Sequence, residues 1–196
     1  MTFVIGLTGS IGMGKSSTAE LFAQEGCAVW DADAAVHRLY SNGGPAVEPM
    51  RAAFPEAIVN GAIDRTVLKD IIGNNPKALK TIESIVHPLV AADRSEFLNQ
   101  NQGKIVVLDI PLLFETGAAQ NMDAVVVVSV DAETQKTRVL ERGTMTEEQF
   151  HTILAKQLPD AEKRAGADFV IVTDTPEHAL QQVRAVLAEI KDRLDA

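Results

Sequence analysis

A chain of 196 residues that is 46% hydrophobic can bury a full core, and its length reads as one domain, 1–196, with room for insertions. The formal net charge of −9 argues against a protein that holds nucleic acid on a broad basic surface, so any anionic ligand must be met by local lysines, arginines and backbone amides. Cys27 is the only cysteine, which excludes an internal disulfide and a thiolate metal cluster and leaves it the role of a small buried hydrophobe.

The N-terminus shows no basic leader, and its apolar run Phe3-Val4-Ile5-Gly6-Leu7-Thr8 reads as a strand. That run feeds Gly9-Ser10-Ile11-Gly12-Met13-Gly14-Lys15-Ser16, a match to G-x-x-x-x-G-K-[ST], and a helix-like stretch follows from Ser17. Strand, glycine loop and helix in this order give each residue type a task. Glycines let consecutive N–H groups turn onto phosphate oxygens, and the helix N-terminus adds partial positive charge. Lys15 is expected to reach the β- and γ-phosphates, and to face solvent when no nucleotide is bound, while the Ser16 hydroxyl holds magnesium. The first expectation is a nucleoside-triphosphate-binding protein.

A second strand-like run, Cys27 to Asp31, leads into Asp31-Ala32-Asp33. Residues two apart on a strand share a face, so both carboxylates are candidates for accepting a proton from an attacking hydroxyl or for holding magnesium. The competing reading makes one of them the N-cap of the helix that begins near Ala34. More than 70 residues, 32–104, then pass before the next strand, with helical patterns and no strand expected. Its longest helical segment runs from about Pro76 to Gln102, and His87-Pro88 inside it predicts a boundary or kink.

The third strand, Ile105 to Asp109, ends in an acid where a second carboxylate near magnesium is expected, the alternative being that Asp109 orders the turn after it. The fourth, Ala124 to Val130, contains the longest apolar stretch, far short of the roughly 20 residues that span a bilayer, and a cytoplasmic location is the expectation. From Thr134 to Gly166 a second excursion carries Arg138 and Arg142, four apart on one helix face, either aimed at a triphosphate or paired with Glu141 or Asp131. The fifth strand, Phe169 to Thr173, precedes an amphipathic helix from about Pro176 to Leu194. Strands alternating with helices predict an α/β domain with a five-stranded parallel sheet, whose ligands sit beyond the strands' carboxyl ends.

Taken together, Gly6 to Ser16, Asp31-Ala32-Asp33, Ile85-Val86-His87-Pro88 and Asp109-Ile110-Pro111-Leu112-Leu113-Phe114-Glu115 resemble the dephospho-CoA kinase family. Arg138 to Arg142, Gln157 and Ala167 to Ile171 extend the resemblance over nearly the whole chain. It implies a P-loop kinase-like three-layer fold, a helical acceptor-binding insertion at about 60–102 and a lid at about 134–166. It further implies transfer of the γ-phosphoryl group of ATP, with Mg2+, to the 3′-hydroxyl of dephospho-CoA. Gly12, Met13, Gly14, Lys15, Ser16 and Ser17 would hold the ATP phosphates, and Arg142 would reach ATP from the lid. Asp33 would be the base, with His87 and Leu112 on the acceptor and Ser16 and Asp109 on the metal. The implied partners are these two small molecules, with neither nucleic acid nor membrane, and a monomer. Ser10 and Met13 stand where the family often has glycine and serine, and Thr173 stands where it usually has asparagine, so the resemblance does not say which residue reads adenine. A GTPase-like switch is disfavoured, since no N-K-x-D motif is present and the third strand ends without D-x-x-G. Within the kinase class, the rival is an enzyme for another small hydroxylated metabolite or nucleoside.

Overall fold

A computed structural model of the protein describes residues 2–195. Two compact units emerge, one made of residues 1–30 and 101–196, the other of residues 31–100. The helical unit therefore includes residues 31–60 as well as the later stretch. In chain order the elements begin with β1 (Phe3–Thr8), α1 (Lys15–Gln24), β2 (Ala28–Asp31), α2 (Ala32–Tyr40) and α3 (Val47–Ala53). They continue with β3 (Ile58–Val59), β4 (Ala62–Ile63), α4 (Arg65–Asn74), α5 (Lys77–Gln100) and β5 (Ile105–Asp109). The chain closes with β6 (Ala124–Ser129), α6 (Ala132–Glu141), α7 (Glu147–Leu154), α8 (Asp160–Ala165), β7 (Phe169–Val172) and α9 (Pro176–Asp195).

The five predicted strands form one parallel sheet in the order β2-β5-β1-β6-β7. Its strands are continuous apolar runs because both faces are covered. In β6 the alternation is explicit: Val126 and Val128 join a cluster with Ile5, Leu7, Phe22, Val183, Leu187 and Ile190, while Val125 and Val127 pack with Leu113 on the other side. Helices α1 and α9 supply the first layer, and the loop after β5 supplies part of the second. Cys27 packs against the first cluster, and burial pushes its thiol up to about 11, so it stays protonated and behaves as the expected small hydrophobe.

The helical unit has its own core of Leu39, Val47, Met50, Ile63, Leu68, Ile82 and Val86. One expectation fails within it, and one of two alternatives is excluded. The region is not free of strands: β3 and β4 pair antiparallel across Asn60-Gly61, whose φ angles of 51° and 80° are the consecutive left-handed pair of a tight hairpin turn. Two-residue strands are too short to show alternation, so only the Asn-Gly turn announces them. Nor does Pro88 end a helix, since α5 runs through it for 24 residues. Pro88 and Ser84, whose carbonyl loses its N–H partner, both lie on the exposed face, where water can take the place of the missing bond.

The first cluster generates a stability prediction. Phe22 is fully buried at its centre, so Phe22→Ala should cost about 3–5 kcal/mol, read as a lowered urea midpoint at unchanged slope. A loss under about 1 kcal/mol would mean that α1 is not held by this contact.

Candidate active site

The glycine loop leaves the carboxyl end of β1 and lies close against β6. A Cβ on Gly9 would sit 2.4 Å from the Val128 side chain and 2.8 Å from its carbonyl oxygen, so no side chain fits there. Gly14, at φ 86°, takes the left-handed turn that starts α1 without a side-chain cap. The uncapped N-terminal amides of this ten-residue helix are thus open to an anion, while Ser16 and Ser17 are exposed beside them.

Side chains from later elements fasten the loop. Thr173 donates its hydroxyl to the Met13 carbonyl at 2.8 Å, and the same oxygen accepts from Arg138 Nη1 at 3.1 Å. Arg138 Nη2 donates to the Thr173 carbonyl at 2.6 Å, so this guanidinium is committed to the end of β7. Both polar groups of Ile11 are taken: Gln135 Nε2 donates to its carbonyl at 2.7 Å, and its N–H donates to Gln157 Oε1 at 3.1 Å. The thioether of Met13 lies 3.2 Å from the Val130 N–H, filling the space under the loop.

Lys15 does not face solvent, contrary to expectation. Its ammonium is paired with Asp109, whose carboxylate is 1% exposed, and the Lys15 side chain is 16% exposed. The reason is electrostatic: a carboxylate buried at the end of β5 requires a counter-charge, and the lysine at the start of α1 is the cation that meets it. The same contact brings the glycine loop and the second predicted acid together.

Beside the loop opens a cleft of about 380 Å³, lined by Gly14, Ser17, Leu21, Arg142, Thr173 and Pro176 among others. Arg142 is the C-cap of α6, exposed and without an ion-pair partner among the described residues. Both arginines line this cleft and differ in engagement: Arg138 is hydrogen-bonded to Thr173, whereas Arg142 has no ion-pair partner among the described residues. Leu112, in the loop after β5, is 42% exposed.

Glu115, three residues on, accepts from the Leu158 N–H at 2.9 Å and lies 2.9 Å from the ammonium of Lys163, which is fully buried. Partial burial pushes the Glu115 carboxyl up, but the Leu158 N–H and the Lys163 ammonium outweigh it and hold the carboxyl below its ordinary range.

Asp31, Asp33 and His87 belong to the helical unit. Asp31 is the N-cap of α2, accepting from the Ala34 N–H at 2.8 Å, so of its two readings capping is the one realised. Asp33 lies in the first turn of the same helix, exposed and with its carboxylate unengaged among the described residues. His87 is on the exposed face of α5. Sequence reasoning missed Gln135, the clamping role of Thr173, and the pair Glu115–Lys163. Each is a contact between residues distant in the chain; Glu115 and Gln157 carried a signal only as positions in the family resemblance, and Thr173 only as a departure from it.

A model of the family described as dephospho-CoA kinase matches residues 3–178. Relatives named dephospho-CoA kinase include one from Ruegeria pomeroyi, 63% identical over 97% of both chains, and one from Cereibacter sphaeroides, 55% identical over 99% of this chain and 98% of the relative. Among solved structures, a protein from Thermus thermophilus superposes with a TM-score of 0.84 at 35% identity, covering 96% of this chain and 97% of the other. A dephospho-CoA kinase from Campylobacter jejuni gives 0.71 at 28% identity over 97% and 98% of the two chains. Shikimate kinase from Bacteroides thetaiotaomicron, at 13% identity and a TM-score of 0.54, shares the fold alone. By matched length and identity, the chain belongs to the dephospho-CoA kinase family.

Proposed function

We propose that this protein transfers the γ-phosphoryl group of ATP to the 3′-hydroxyl of the ribose of dephospho-CoA, giving coenzyme A and ADP. The observation that carries the reading is the glycine loop with its lysine drawn onto Asp109 at the carboxyl edge of a parallel sheet, in a chain of this family. Gly12, Met13, Gly14, Lys15, Ser16 and Ser17 cradle the phosphates through backbone amides, the α1 N-terminus and the Lys15 charge. Arg142 acts from the 134–166 lid, where closure excludes water and strengthens its attraction for phosphate. On the acceptor side, Asp33 takes the proton of the 3′-hydroxyl as its oxygen bonds to the γ-phosphorus and the bond from that phosphorus to ADP breaks. Its carboxylate is free for this, two residues beyond the end of β2. His87 and Leu112 contact dephospho-CoA through their exposed side chains.

The donor set suits magnesium with ATP. No cluster of three or more His, Cys, Asp or Glu that could hold an ion alone occurs among the described residues, whereas Ser16 and Asp109 offer hard oxygens near the Lys15 charge. Magnesium is commonly held in this way, by one or two protein oxygens together with substrate phosphates and water. Bound there, it would neutralise charge on the phosphate oxygens. We further propose a monomer that acts in the cytoplasm without nucleic acid; the net charge of −9 and the lack, among the described residues, of a helix able to cross a membrane support this.

An acceptor screen with dephospho-CoA, adenosine, nucleoside monophosphates and shikimate should show ATP turnover with dephospho-CoA and little with the rest. Lys15→Ala should nearly abolish that turnover while the chain stays folded by circular dichroism, with a lower melting temperature because the buried Asp109 carboxylate loses the Lys15 contact. Activity within a few-fold of the parent would sink the reading of the loop. For Arg142→Ala, steady-state kinetics with each substrate varied should show a fall in kcat larger than any rise in KM for dephospho-CoA. The opposite split would move Arg142 to the acceptor. Asp33→Asn should lose roughly 10²- to 10⁴-fold in turnover, the range of general acid–base groups, with magnesium-ATP affinity retained by calorimetry. If affinity falls in step with rate, Asp33 is a metal residue instead.

A further inference from the structure

Lys163, in α8, is 0% exposed. An ammonium in such a place persists only beside a counter-charge, and here that charge is Glu115, 2.9 Å away. The alignment falls short of a hydrogen bond and Nζ meets no other acceptor, so the attraction is charge on charge. The same Glu115 oxygen also accepts from the Leu158 N–H. One residue earlier, Gln157 accepts from the Ile11 N–H of the glycine loop. A third tie lies at the start of α8, where Ser129 Oγ donates to Asp160 Oδ2 at 2.7 Å. The segment from Gln157 to Lys163 is thus pinned to the end of β6, to the loop after β5 and to the glycine loop.

We propose that Glu115 is a positioning residue for ATP: by gathering the Leu158 N–H and the Lys163 ammonium onto one carboxylate oxygen, it sets Gln157 against Ile11 and holds the glycine loop in its phosphate-ready conformation. The inference rests on the reading of that loop as the ATP cradle. With the Ile11 N–H held by Gln157 and its carbonyl by Gln135, the peptide units on both sides of Ile11 are fixed, and the ordering of the loop is completed on folding rather than on nucleotide binding. A ligand that meets a preordered loop binds more tightly than one that must order it. Glu115 itself touches neither phosphate nor acceptor in this role.

The test compares the full-length protein with Gln157→Ala and with the double variant Glu115→Leu/Lys163→Met, which removes both charges and the acceptor for Leu158 without stranding an ammonium. Melting temperature, kcat and the KM for each substrate are measured. Gln157→Ala should raise KM for ATP roughly three- to tenfold, the worth of about one hydrogen bond, with KM for dephospho-CoA unchanged. The double variant should show the same ATP-selective rise while melting cooperatively. An unchanged KM for ATP in either variant, or an equal rise for both substrates, overturns the proposal. Lys15→Ala, run alongside, separates the two ideas: retained turnover in that variant overturns the ATP-cradle reading, whereas its loss beside a normal Gln157→Ala overturns only the positioning role.

Discussion

The site depends on how closely the glycine loop lies against β6. At Gly9 the Val128 side chain can shift to admit a methyl group, but the Val128 carbonyl at 2.8 Å belongs to the sheet and cannot. The loop therefore follows the sheet edge, and the register of the strands decides what it meets. Leu7 pairs with Asp109 on β5 and with Val126 on β6, so the acid that ends β5 is level with the last residues of β1. A two-residue slip would carry Asp109 roughly 6.6 Å along the strand, and a one-residue slip would turn it to the other face. The valines of β6, buried on both sides, hold that register, so packing in the core determines whether Lys15 finds its partner.

The Lys15–Asp109 contact sets the electrostatic resting state of the site. A carboxylate at 1% exposure loses most of its hydration, and the Lys15 cation offsets part of that loss when the geometry is good. The same lysine is the one the motif assigns to phosphate, so on the proposed reading Lys15 would exchange this stabilising contact for a binding one. Any substitution at this position therefore changes stability and phosphate recognition together, and the two have to be measured separately.

The sheet was legible because a strand buried on both faces is a continuous run of Val and Ile, and all five such runs proved to be strands within a residue of their predicted ends. The glycine loop was legible because its residue types have no substitutes for their tasks. The β3–β4 hairpin was missed for want of strand length, and the boundary was left open at Pro88 because sequence does not reveal that the proline faces water. Lys15 was placed in solvent because the cost of burying Asp109 is a tertiary fact. Gln135 and Thr173 belong to the same class: a buried glutamine on α6 and a threonine closing β7 look ordinary in sequence, and acquire meaning only when the glycine loop lies between them.

Arg138 and Arg142 show how position along one helix face separates two like residues. They lie about 6 Å apart along the helix axis. Arg138, in the last turn, meets the end of β7 and spends its guanidinium on the Thr173 hydroxyl and carbonyl. Arg142 caps the helix just before Gly143 turns the chain at φ 63°, and lines the cleft without an ion-pair partner among the described residues. Thr173 is the other half of this division. A threonine hydroxyl has one donor, and here it goes to the Met13 carbonyl while Arg138 occupies an acceptor position. A residue so engaged has no donor left for a ring nitrogen of a base. The Thr173 side chain is therefore committed to holding the glycine loop, donating to Met13 and accepting from Arg138.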